Sequence, residues 1–68
     1  MINIGDKVIT PSGKGVVVDI ADGKDGPEYY IVEYRKADYT DEQWKRMSIF
    51  DRASCKRIVM ANACVLEV

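Results

Sequence analysis

Apolar and polar positions alternate along most of this chain with the period of two that marks β-strands. Val8 and Thr10 share a face in a short run, Lys7–Thr10. Pro11 then removes a backbone donor, and Ser12-Gly13-Lys14-Gly15 supplies turn chemistry. Residues 16–20 form a second predicted strand. Val16, Val18 and Ile20 are taken as its core face, with Val17 and Asp19 pointing outward. Asp22-Gly23, Asp25-Gly26 and Pro27 concentrate turn residues between positions 21 and 28. A third strand over 29–35 places Tyr30, Val32 and Tyr34 inward. It sends Tyr29, Ile31, Glu33 and Arg35 to the other face, because that set carries two charges.

The pattern changes after Lys36. Thr40-Asp41-Glu42-Gln43 matches a capping box, in which the Thr hydroxyl and the Gln side chain each satisfy a backbone amide of the other. This predicts a short helix over Asp41–Arg46, with Trp44 and Met47 on one side. Extended chain is expected over 46–50, then a turn or helical bend at 51–54. Lys56–Met60 reads as a fourth strand with Ile58 and Met60 inward. Ala61–Ala63 suits one helical turn, and 65–68 a last strand. The fold class that follows is mainly β, with five strands and a short helical insertion near residues 40–47, in a single domain spanning 1–68.

Five short strands with a long first loop, a tight later turn and a helical turn before the last strand resemble an SH3-like, partly open barrel. Within that fold, Gly5-Asp6-Lys7-Val8-Ile9-Thr10-Pro11 followed by Gly13-Lys14-Gly15-Val16 is similar to the opening of the CarD-type RNA-polymerase-interacting domain. KOW and Tudor-like domains share a looser version. The resemblance implies a binding module whose partner belongs to the transcription or translation machinery. Small barrels of this kind also occur as phage or mobile-element proteins. Plasmid-type dihydrofolate reductase is similar in shape, but its pore-lining Val-Gln-Ile-Tyr stretch corresponds here to Arg57-Ile58-Val59-Met60, without the Gln or the Tyr.

Composition narrows the chemistry. The chain has no histidine, which removes the usual general base and the commonest transition-metal ligand. Cys55 and Cys64 alone fall short of a structural zinc site. No phosphate-binding or dinucleotide-binding glycine motif is present. No enzymatic activity, catalytic residue, metal or cofactor is therefore expected. The start, Met-Ile-Asn-Ile-Gly-Asp, has neither a basic segment nor an apolar run. No stretch approaches the roughly 20 apolar residues of a membrane helix. Both points predict a cytoplasmic protein with reduced thiols and no membrane partner.

Net charge is −1, with five basic and nine acidic side chains in residues 1–42 and five basic and two acidic in 43–68. Three surfaces come into view. A protein partner or a second copy of the chain could use outward apolar residues, Ile9, Val17, Tyr29, Ile31, Val59 and Val65, together with open strand edges. This is the leading expectation. A nucleic acid could use Lys45, Arg46, Arg52, Lys56 and Arg57 beside Tyr39 or Trp44. A Tudor-like aromatic cage for a methylated cation would draw on Tyr29, Tyr30, Tyr34, Tyr39, Trp44 and Phe50.

Overall fold

The computed structural model describes residues 1–67, apart from the side chains of Phe50 and Ser54. Five strands are present: β1 (Lys7–Thr10), β2 (Gly13–Gly23), β3 (Gly26–Glu33), β4 (Lys56–Met60) and β5 (Val65–Leu66). They form one antiparallel sheet in the order β4-β3-β2-β1-β5. The sheet does not close, so β4 and β5 remain as edges. The architecture is mainly β and fits a partly open barrel, with a 3-10 turn at Ala61–Ala63 between the last two strands. Val68, assigned above to the last strand, lies outside the described residues.

The connections differ from the expected plan. The first is a tight turn at Pro11 and Ser12, and the longest joins β3 to β4. Residues 21–28 are mostly strand, because β2 and β3 continue as a ribbon to a two-residue turn at Lys24 and Asp25, with Gly23 opposite Gly26. Gly26 has φ +120°, a conformation that favours glycine.

One irregularity decides which residues form the core. Val17 pairs with Val32, yet Asp19 pairs with Ile31, so Val18 has no residue opposite it. Such a bulge inserts one residue and reverses the alternation downstream. Val17, just before the bulge, shares the face of Gly15 and pairs with the buried Val32, so it is inward with 0% exposure, and Ile20 recovers the inward side three positions later. The expected outward placement of Val17 is therefore corrected. Val16 is also buried, but it pairs with Lys7 and Glu33 and stands outside the main cluster.

Val8, Val17, Tyr30, Val32, Tyr34, Val59 and Cys64 make that cluster. Strand β4 is phased opposite to expectation: Tyr30 stands across from Val59, so Val59 is buried while Ile58 and Met60 face out. Three consecutive apolar residues carry no alternation from which a phase could be read. Gly15, opposite Val8, is required by close approach. A Cβ there would lie 2.3 Å from Val32 Cγ1 and 2.9 Å from the Glu33 carbonyl oxygen. It is a strand residue rather than part of the turn.

The long connection is mostly helical. A 3-10 turn covers Lys36–Asp38, then α1 spans Asp41–Arg46 and α2 spans Ile49–Ser54. The capping box forms as the sequence requires, with Gln43 N donating to Thr40 Oγ1 at 3.1 Å and Thr40 N to Gln43 Oε1 at 3.0 Å. Asp41 and Glu42 sit at the positive end of α1, Lys45 and Arg46 at the negative end. Trp44 and Met47 pack on the core. The expected extended chain through residues 49 and 50 is instead helix. Arg52 N bonds Ser48 O, and Cys55, at φ +60°, ends α2.

The bulge predicts an asymmetry between neighbours. Val17→Ala should cost about 2 kcal/mol, whereas Val18→Ala, at a half-buried unpaired position, should cost less than half as much. Urea unfolding of the two variants measures the difference. Equal losses would mean that the two side chains are buried alike.

Candidate partner-binding surface

Antiparallel partners share a face of the sheet. On the outer face of β3–β4 the pairs are Tyr29 with Met60, Ile31 with Ile58, and Glu33 with Lys56. Two stacked apolar pairs thus lie beside one charged pair. Ile58 is 62% exposed and Met60 54%, while Tyr29 and Ile31 are half-buried beneath their neighbours. At the other end of the sheet Ile9 pairs with Val65, and both are exposed. Of the six outward apolar residues expected, Ile9, Tyr29, Ile31 and Val65 are on the outer face, and Val17 and Val59 are in the core. Ile58 and Met60 replace them. Only the register with β3 identifies these two.

The basic residues do not assemble into one surface. Lys45 and Arg46 are exposed on the last turn of α1, where Arg46 pairs with Glu42 at 2.7 Å. Arg52 is half-buried on α2, and its Nε is buried without a hydrogen-bond partner. Lys56 and Arg57 are consecutive in β4 and so point to opposite faces. Arg57 Nη1 donates to Asp51 Oδ1 at 2.6 Å, and Asp51 is only 3% exposed. That contact ties α2 to β4.

The aromatic residues are also divided. Tyr30 and Tyr34 are core, Tyr29 is on the outer face, and the Phe50 side chain lies outside the described residues. Tyr39 and Trp44 meet at 5.7 Å between ring centroids, tilted by 53°. The Tyr39 hydroxyl donates to the Lys14 carbonyl, and its ring lies over Gly13, where a Cβ would come 2.8 Å from that hydroxyl. Tyr39 and Arg46 line a shallow groove of about 330 Å³ between the Ser12–Lys14 backbone and α1. This pair of rings is occupied in pinning the insertion to the β1–β2 hairpin.

Among the described residues three groups have displaced pKa values, and the hydrogen bond to Asp51 with its charge raises that of Arg57. Burial, with the nearby Tyr34, Asp38 and Asp51, pushes the Tyr39 phenol up to about 12, against the opposing bond to Lys14. Burial also pushes up the Cys64 thiol, and both cysteines are free. Among the described residues no three His, Cys, Asp or Glu side chains converge as a metal site, and no helix is long and apolar enough to cross a membrane.

Two outcomes follow. The folded state holds the Tyr39 proton more tightly than the unfolded chain, so its contribution is complete below pH 10 and is lost as pH rises toward 12. Tyr39→Phe should flatten the decline in stability over that window, and absorbance titration should lose a tyrosine step near pH 12; an unchanged profile would contradict the assignment. Arg57→Ala takes the guanidinium away from the buried Asp51 carboxylate and should lower the midpoint of thermal or urea unfolding, as breaking a contact to a buried charge does. An unchanged midpoint would show that the contact is only superficial.

No protein-family model matches the chain, and no curated protein or solved structure gives a significant match.

Proposed function

We propose that this barrel is a non-enzymatic binding module that works by protein–protein contact through the outer face of β3–β4. The observation that carries the reading is the pair of in-register apolar contacts, Tyr29–Met60 and Ile31–Ile58, left uncovered on the outside of the sheet. Covering an exposed Ile or Met contributes about 1.5–3 kcal/mol each. Contiguous apolar surface with a polar rim is the usual make-up of a contact site. Glu33, held by Arg35 at 2.8 Å, and Lys56 form such a rim at one end.

The division of the basic residues argues against nucleic acid. Arg46 and Arg57 are each neutralised by a carboxylate, and Lys56 and Arg57 face opposite ways. Non-enzymatic action is supported by the absence of histidine from the sequence. The likeness of the Gly5–Val16 stretch to a polymerase-interacting opening makes the transcription or translation machinery the first partner class to examine.

Affinity capture from the source cell tests this, comparing the native chain with Ile58→Asp, whose fold is checked by circular dichroism. Partners should survive nuclease and high salt and bind the variant roughly thirtyfold more weakly. Capture that instead disappears with nuclease, falls steeply with salt and is unaffected by Ile58→Asp would establish the nucleic-acid alternative.

A further inference from the structure

We infer that the outer face of β3–β4 meets a second copy of this chain, in a weak dimer whose two-fold axis runs along the strands between β3 and β4. This rests on the protein-contact reading and names the partner and the geometry. The register arranges that face in rows across the sheet, to which β3 and β4 each give one residue. The first row is Tyr29 and Met60, the second Ile31 and Ile58, and the third Glu33 and Lys56. Strand β2 adds Ala21 beside Tyr29 and Asp19 beside Ile31. Charge thus bounds the apolar rows on two sides, with Asp19 across the sheet and the Glu33–Lys56 row along it.

Sheets packed with their strands aligned can meet through a two-fold axis in two ways. With the axis across the strands, Glu33 and Lys56 of each copy come down on Tyr29 and Met60 of the other. Two charges are then desolvated against apolar groups, which is costly. With the axis along the strands, β3 of one copy lies over β4 of the other. Tyr29 then covers Met60 of the second copy, Ile31 covers Ile58, and Glu33 stands above Lys56, so each row meets its own kind and opposite signs meet. Neither charge has to be released. Glu33 keeps its bond to Arg35 at 2.8 Å, and the Glu33–Lys56 pair of one sheet is simply reversed over the same pair of the other. Strand β2 falls beyond the other copy's β4, which leaves Asp19 in water. With strands about 5 Å apart and same-face rows about 7 Å apart, the contact is well below the roughly 800 Å² per partner of a stable complex. The dimer therefore forms only at high concentration.

Sedimentation and amide NMR of the full chain over a concentration series test this. Association should shift amides centred on 29–33 and 56–60. Ile58→Asp, with its fold checked by circular dichroism, should weaken association roughly a hundredfold, because each dimer covers two copies of that side chain. The charged row gives the sharper readout. Lys56→Glu and Glu33→Lys each place like charges over one another and should associate less than the native chain. An equimolar mixture of the two variants sets Glu over Lys at both positions, and should associate roughly tenfold more tightly than either variant alone. The mixture restores no pair within one chain, so its recovery comes from contact between copies. The proposal is overturned if the native chain stays monomeric at about 1 mM, if the shifts fall on another surface, or if the mixture associates no better than its components. The broader reading fails separately. A monomeric native chain whose captured partners are lost in Ile58→Asp overturns the dimer but keeps the outer face as a contact site for a different protein.

Discussion

Tyr34 holds the two halves of this molecule together. Its ring is 1% exposed, its backbone N–H donates to Cys55 O at 2.7 Å, and its hydroxyl meets Thr10 Oγ1 at 2.9 Å. Thr10 has one hydroxyl proton and gives it to Gly13 O, so Tyr34 is the donor to Thr10. Ser12 N adds a further bond to the same oxygen. One side chain therefore anchors the β1–β2 turn, while its backbone brings the two ends of the long connection together. Without that closure the twenty or so residues from 35 to 54 would form an unrestrained loop, and such loops are uncommon in small folds. Tyr34 turns them into a clasp.

The clasp is reinforced by contacts that occupy most of the chemically suggestive residues. Tyr39 reaches Lys14, Trp44 and Met47 cover the core, and Arg57 holds Asp51. Aromatic and basic side chains invite functional readings in a bare sequence. Here several of them are engaged in fastening helices to a sheet. What remains without an internal task is plainer: the apolar pairs on the outside of β3–β4 and the unpaired edge of β4. A short chain buries a limited fraction of its surface, so apolar area of this kind left outside is where a partner adds most.

Legibility followed the range of the interactions involved. The capping box at Thr40 and Gln43 was readable because both partners lie within one turn of helix. So was the inward set of β3, Tyr30, Val32 and Tyr34, because Glu33 and Arg35 put charge on the alternate positions and so state the phase. The contact residues were half legible. Tyr29 and Ile31 could be placed on the outer face from charges on the same strand, but Ile58 and Met60 were taken for core. The run Ile58-Val59-Met60 is apolar at every position, and nothing within it distinguishes one face from the other. The five basic residues formed a cluster in sequence that alternation and helical geometry then dispersed.

By itself the amino-acid order determined the strands, the helix at Asp41–Arg46 and the mainly β class, because these depend on periodicity and on bonds spanning a few residues. It also determined the absence of histidine chemistry. Tertiary structure alone decided the bulge at Val18, the burial of Val17 and Val59, and the helical state of residues 49–54. The burial of Val17 and of Val59 is set by partners far along the chain, Val32 and Tyr30, while Asp51 on the helix meets Arg57 six residues on. A strand of uniform apolarity can bury either side, and only the strand against which it is hydrogen-bonded selects one.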